Sequence, residues 1–292
     1  MSTATLGRGP AFGHHMKLWR RQRGMSQLDL AIRADLSQRH ISFIETGRSR
    51  PRVDVVQRVA EALEVPLRDR NILLESAGLA PSYPEVPLSD GAAAPFRAAI
   101  GKLLESHEPY PAFVINRWWE MIDANVAGRR IFPLTGDGPI SLVETLLGPG
   151  PIREMIDNFP AVGWTFLRHM RREVADSGPD ERLQELLARA EAYMKDVPVD
   201  DENARAELVI CPHLRIGDQV IKTVSMVARF GTAREVTLDE LRVEFMFPGD
   251  EEAEAFFRIG AQAGREPVPG TDRTNVSSQR VTQSGSASSV QV

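Results

Sequence analysis

The sequence predicts two folds in series: an all-α domain of five short helices over residues 1–80, then an α+β domain with a mainly antiparallel sheet over residues 93–266. Three observations carry this. Apolar residues recur at helical spacing, between cap signals, through the first 80 positions. Three prolines, Pro81, Pro84 and Pro87, then break the pattern, so residues 81–92 read as a linker. Beyond it, segments that alternate apolar and polar residues are interspersed with longer helical patterns.

The first helix is expected over about Gly13–Arg23, with Met16, Trp19 and Arg23 along one side. Gly24 ends it, being free to adopt the left-handed conformation of a C-terminal cap. Ser26 opens the second helix, which runs to about Ala34 and has Leu28, Ala31 and Ile32 as its apolar residues. Ser37 opens the third, with Ile41 and Ile44 turned inward; Gly47 stops it and Pro51 follows. Val55, Val56, Val59, Ala60 and Leu63 repeat at helical spacing through a fourth, Val53–Glu64. A fifth starts after Pro66 and stops near Gly78.

After the linker a helix is expected over about Ala93–His107. Pro111–Ile115 and Trp118–Asp123 read as strands flanking Asn116-Arg117, a candidate hairpin. Asn125 is placed to cap a helix carrying Val126, Ala127 and Ile131. Two longer helices follow, Ala161–Asp176 and Asp180–Lys195. Val220–Phe230 is mostly apolar, and Leu241, Val243, Phe245 and Phe247 alternate with Arg242, Glu244 and Met246 as in a half-buried strand. These elements imply a sheet with helices on one face and room for an apolar cavity between them. Residues 267–292, rich in Ser, Thr, Gln and Gly, hold almost nothing to bury and read as a disordered tail.

The net charge of −5 is unevenly divided: 13 Lys and Arg stand against 8 Asp and Glu in the first 80 residues, and 22 against 32 in the rest. A basic first domain on an acidic body suits local contact with an anionic polymer. No apolar run approaches the ~18 residues of a membrane helix, and Met1–Phe12 lacks the apolar centre of a secretion signal. The single cysteine, Cys211, permits neither an intramolecular disulfide nor a cysteine-based zinc site. No membrane partner and a cytoplasmic location are therefore expected.

The second and third helices, joined by Asp35-Leu36-Ser37, form a helix-turn-helix unit, in which the turn must hold the second helix so that its leading residues meet base edges. Gln27 lies at the opening of the first of the pair, where backbone N–H groups can face a phosphate. Ser37 caps the reading helix, and Gln38, Arg39, His40 and Ser42 fall on its exposed face. Glutamine pairs bidentately with adenine and arginine with guanine. His40 reads equally as a phosphate ligand or a solvated side chain. Arg48, Arg50 and Arg52 suit backbone phosphates, which fix register rather than sequence. A double-stranded DNA operator is the partner that these residues imply.

Arg20, the run Met25-Ser-Gln-Leu-Asp-Leu-Ala31 and the run Ser37-Gln-Arg-His-Ile-Ser-Phe-Ile-Glu-Thr-Gly47 resemble the phage-repressor-like (XRE) helix-turn-helix family. The resemblance implies a five-helix lambda-repressor-like domain in which Arg20 pairs with Glu45. Pro66–Pro81, His107–Ala112, Trp119–Asn125 and Phe230–Glu244 are similar to the MmyB-like regulators, over about residues 10–260. That family couples an XRE-type domain to a ligand-binding domain of PAS-like fold.

Within such a domain, Phe113, Ile115, Trp119, Met121, Phe166, Met170, Met226, Phe245 and Phe247 are the candidate lining residues, although each taken singly reads more readily as ordinary core than as a ligand contact. Their character implies a small apolar or amphiphilic ligand, a fatty acid or similar lipid, with Arg168, His169, Arg171 and Arg172 as nearby positive charge. No haem, flavin or metal signature is present. Cys211 and His213 lack a third orienting group, so no enzymatic activity is expected. A homodimer follows from the family and from the two-fold symmetry of operators. The alternative is a regulator whose second domain recognises a protein partner.

Overall fold

Five helices make up the first unit: α1 (Ala11–Gln22), α2 (Gln27–Arg33), α3 (Gln38–Glu45), α4 (Val53–Ala62) and α5 (Leu67–Ser76). The computed structural model describes residues 11–132, 138–178, 180–199 and 210–263, so the expected tail lies outside the described residues. Gly24, Gly47 and Gly78 all sit at positive φ just past helix ends, as their placement in the sequence requires. Ser26 and Asp29 form a reciprocal capping box at the start of α2, and the Ser37 hydroxyl accepts from the His40 N–H at the start of α3.

Met16, Trp19, Ile41, Ile44, Val56, Val59 and Leu63 close one core. The second helix differs from the reading of its apolar residues: Leu30 and Ala31 are buried, whereas Leu28 and Ile32 face outward. With only seven residues in α2, its apolar positions are too few to define one stripe. Helices α1 and α3 touch closely at Gly13, where a Cβ would stand 2.4 Å from the Ile44 carbonyl oxygen.

The segment after α5 has no regular structure, yet it is clamped. The Asn71 carboxamide oxygen accepts from the Ser82 and Tyr83 N–H groups, and its amide donates to the Tyr83 carbonyl. Val86 N–H donates to the Glu235 carboxylate of the second unit. Helix α6 (Ala94–Ser106) follows, then β1 (Ala112–Ile115), β2 (Glu120–Ala124), α7 (Val126–Ile131), β3 (Ile140–Ser141), α8 (Pro151–Met155), α9 (Phe159–Asp176) and α10 (Glu181–Met194). The last described elements are β4 (His213–Ile216), β5 (Gln219–Arg229), α11 (Val236–Glu240), β6 (Arg242–Pro248) and α12 (Glu251–Ala263). The six strands form one sheet in the order β3-β2-β1-β6-β5-β4, with antiparallel pairing throughout.

Two expectations are corrected here. Helices cover both faces of the sheet rather than one. Phe113, Ile115 and Met121 pack with α9, α10 and α12, while Ala112 and Val114 pack with Ile100 and Leu104 of α6 on the other side. The hairpin turn is also longer than Asn116-Arg117. Strand β2 begins at Glu120, because the Asn116 side-chain oxygen accepts from the Trp118 and Glu120 N–H groups and Trp119 adopts φ +55°.

Asn125 does cap α7. Its buried carboxamide accepts from Gly128 and Ala112 N–H and donates to the Leu104 and Tyr110 carbonyls, joining α6, β1 and α7 at one point. Substitution Gly13→Ala is expected to destabilise the first unit by about 1–3 kcal/mol, because the methyl meets unyielding backbone. Urea denaturation followed by circular dichroism measures this.

Candidate functional site

The leading turn of α3 is open to solvent: Gln38 and Arg39 are exposed, His40 and Ser42 half-buried. The Arg39 guanidinium lies 5.1 Å from the Phe43 ring centroid, so a half-buried aromatic one turn on aims it. Nothing in the local sequence assigns Phe43 this positioning role. Arg48, Arg50 and Arg52 are exposed in the α3–α4 connection. Among the described residues none of these three, nor Arg39, forms an ion pair. Arg20, Arg23, Arg58 and Arg68 all do, Arg58 with Asp35 in the turn that leads into α3.

The pitch of α3 is fixed from behind. Arg20 Nε donates to Glu45 Oε1 at 2.6 Å, Arg20 Nη2 to Glu45 Oε2 at 3.2 Å, and Arg20 Nη1 to the Met25 carbonyl at 2.7 Å. Gln27 Nε2 donates to Glu45 Oε2 at 2.7 Å. Gln27 therefore braces the reading helix with its amide, whatever it offers to a phosphate. Burial alone would raise the Glu45 carboxyl, but the hydrogen bonds from Arg20 and Gln27 and the Arg20 charge hold it below the usual range.

In the second unit the nine candidate lining residues divide. Phe113, Ile115, Trp119, Met121, Phe166 and Met170 share one core on the inner face of the sheet. Phe245 instead packs toward α6, beside His107, whose ring is also 4.7 Å from Phe247. Met226 pairs with Phe245 across the strands and is 59% exposed on that outer face. Alternation separates the two faces of β6 but does not say which meets α9, and here it is Arg242, Glu244 and Met246 that do. Away from this core, a mainly apolar surface cleft of about 450 Å³ runs between Val86, Ala93, Phe96, Phe230 and Leu238. Among the described residues no cluster of His, Cys, Asp and Glu could hold a metal ion, and no helix is long and apolar enough to cross a membrane.

The two units meet through charge. Arg23 Nη1 donates to Asp176 Oδ1 at 2.6 Å and Gln22 to the Ser177 carbonyl, both at the end of α9. Arg68 pairs with Glu240, which also accepts from Arg117, and Arg117 in turn reaches Asp180. Asp69, buried at this junction, receives the Gly178 N–H, and burial pushes its carboxyl above the usual range. None of these contacts involves the leading turn of α3.

A free basic edge on a rigidly braced helix-turn-helix, tied to a separate α+β domain, defines a DNA-binding transcription regulator. Residues 16–69 match the helix-turn-helix family, and residues 96–259 match the MmyB-like transcription regulator ligand binding domain. The chain belongs to the MmyB-like transcription regulators. No curated protein matches it. Among solved structures it is similar to ComR from Streptococcus suis at 17% identity and a TM-score of 0.20, over 68% of this chain and 59% of that one.

Substitution Glu45→Ala strands the Arg20 guanidinium, which is only 9% exposed, and is expected to cost about 3–5 kcal/mol. Because the native carboxyl is depressed, the brace contributes in full above the ordinary glutamate range near 4.3. It is lost as pH falls through the native value. The difference in Tm between wild type and variant should therefore narrow as a calorimetric series descends below about pH 4.

Proposed function

We propose that this chain is a sequence-specific regulator that binds its operator as a homodimer, and that its second domain holds a small apolar or amphiphilic ligand of fatty-acid type. The exposed, unpaired cluster of Arg39, Arg48, Arg50 and Arg52 around the α3 cap carries the DNA side of the reading. Gln38 and Arg39 read bases, Ser42 and His40 support them, and the three loop arginines hold phosphates.

The ligand side rests on the inner core, which contains Met121, Met170, Met194 and Met246 beside Phe113, Trp119 and Phe166. Unbranched methionines repack at low cost, so such a core is able to part for an alkyl chain. The order β2-β1-β6-β5-β4 is consistent with a PAS-like sheet. The ion pairs at the end of α9 offer the route by which a ligand preferring one arrangement of that helix biases the first domain, and it does so only through its differential affinity for the two states. The protein is read as a non-enzymatic cytoplasmic factor.

Dimerisation is assigned to the outer face of the sheet. There Val224 and Met226 are exposed beside Phe247 and Phe245, and a second copy would cover them in the isologous arrangement that a palindromic operator demands. Met226→Glu is expected to shift sedimentation equilibrium toward monomer and weaken operator binding while the circular dichroism of the folded chain is retained. An unchanged mass would exclude this face.

Fluorescence anisotropy with a cognate duplex and base-substituted duplexes separates the contact roles. Arg39→Ala should lose about 1–3 kcal/mol on the cognate site and tolerate change at one base pair. Arg50→Ala should weaken binding to every duplex alike and make the salt slope shallower by about one unit. The opposite pattern, uniform loss for Arg39 and selective loss for Arg50, would reverse the two assignments.

A further inference from the structure

The contact between the two domains gathers more carboxylates than guanidiniums. Arg23 meets Asp176, Arg68 meets Glu85 and Glu240, and Arg117 meets Glu240 and Asp180. Asp69 and Asp239 stand in the same contact, and among the described residues neither is part of an ion pair. Asp239, on α11, accepts the Leu67 N–H that opens α5. Asp69, in the first turn of α5, is only 4% exposed. It accepts the Gly178 N–H of the second domain, and its Oδ2 has no hydrogen-bond partner. The fit there is close, because a Cβ on Gly178 would overlap Asp69 Oδ1 and touch the Trp19 ring. An ionised carboxylate at that depth with one oxygen unpaired is costly, and taking up a proton removes the cost.

The groups that face Asp69 come from both domains. His15 of α1 faces it from its own side. From the other side come Arg117 in the β1–β2 turn, Asp180 at the start of α10 and Glu240 at the end of α11. Arg117 does not neutralise it, because that guanidinium is already shared between Glu240 and Asp180. Its Nε, like Asp69 Oδ2, is buried without a partner. Burial, with the charges of Glu240 and Asp180 added to it, raises the Asp69 carboxyl. Burial acts in the opposite sense on His15 and, with His14, depresses its imidazole. Gly178, Asp180 and Glu240 all belong to the second domain, so the surroundings that disfavour a charge on Asp69 exist only while that domain covers α5.

We propose that the domain junction is a proton-operated latch: the Asp69 carboxyl takes up a proton as the DNA-binding domain seats on the second domain, so that acid favours the seated arrangement and alkali a released one. In the released arrangement Asp69 lies on the surface of α5 and titrates as an ordinary aspartate, near 3.9. The seated form therefore binds more protons over the range between that value and its own raised one. Above the raised value, each further pH unit lowers the ratio of seated to released molecules up to tenfold, the limit for one linked proton. The latch needs no ligand, and it acts on the orientation of the helix-turn-helix relative to the rest of the chain.

Small-angle X-ray scattering of the full chain from about pH 5 to about pH 9 tests this, at fixed salt because the Arg23–Asp176 pair is open to screening. The lower limit keeps the ion-paired carboxylates charged. The radius of gyration of wild type should rise with pH as released molecules accumulate. Asp69→Asn, an uncharged replacement of the same shape, should hold the acid value throughout. Its Tm should exceed that of wild type at about pH 8, and the gap should close toward about pH 5, because a raised carboxyl loses its contribution as pH rises through the native value. Should Asp69→Asn fail to fold, wild type alone still decides. A radius that is constant across the range, or one that rises toward acid as the depressed His15 would produce, overturns the latch. A pH response kept by Asp69→Asn and lost in Asp239→Asn overturns the assignment to Asp69.

Discussion

The pairing of Arg20 with Glu45 is the interaction on which the first domain depends. A buried ion pair rarely adds much stability, because desolvating both partners offsets most of their attraction. What it fixes is geometry. Arg20 is anchored near the end of α1, Glu45 closes α3, and the Met25 carbonyl and Gln27 amide complete the set, so α3 has one orientation relative to α1 and α2. The close approach at Gly13 serves the same end, since α1 sits against the backbone of α3 with no room for a methyl. Of the exposed arginines, Arg39 stands on the helix that this brace holds, and Arg48, Arg50 and Arg52 follow it in the connection to α4.

The second domain places a different device behind that helix pair. Helix α9 spans the molecule from Phe166 and Met170 in the inner core, through Glu173 beside Arg242, to Asp176 against Arg23. Its far end is held by solvent-exposed charge and its middle by apolar packing. The exposed Asp176 end of this contact is open to screening by salt, whereas the Arg117 pairs with Glu240 and Asp180 at the same junction are largely buried and are screened much less. The connection between domains is not a free tether, because Asn71 grips Ser82 and Tyr83 while Glu235 grips Val86.

Much of this was legible in the residues, unevenly. Caps and glycines act through their immediate neighbours, which is why Ser26, Ser37, Gly24 and Gly47 located α2 and α3 closely. The partner of Arg20 came through family resemblance and not through spacing. Sheet faces were harder. Alternation in β6 is the same whichever side meets the main core, so Phe245, Phe247 and Met226 were assigned to the cavity face while Arg242 and Met246 occupy it. A charged residue is not expected at the bottom of an apolar core, and nothing local announces that Trp119 will stack on it. Strand β4, with Gly217 at positive φ in its turn, left a readable hairpin signal that went unused. Helix α12, which opens with Glu251 and Glu252 and buries Ala253 and Phe257, did the same.

The claim that underlies the rest is that the exposed start of α3 reads base sequence in the major groove. Selecting bound fragments from a pool of random duplex DNA with the full chain tests it most directly. The account predicts enrichment of a two-fold symmetric site whose half-sites lie about 10 base pairs apart, or a multiple of that, centre to centre. Recovery of fragments with no common sequence, bound no more tightly than the starting pool, would contradict it.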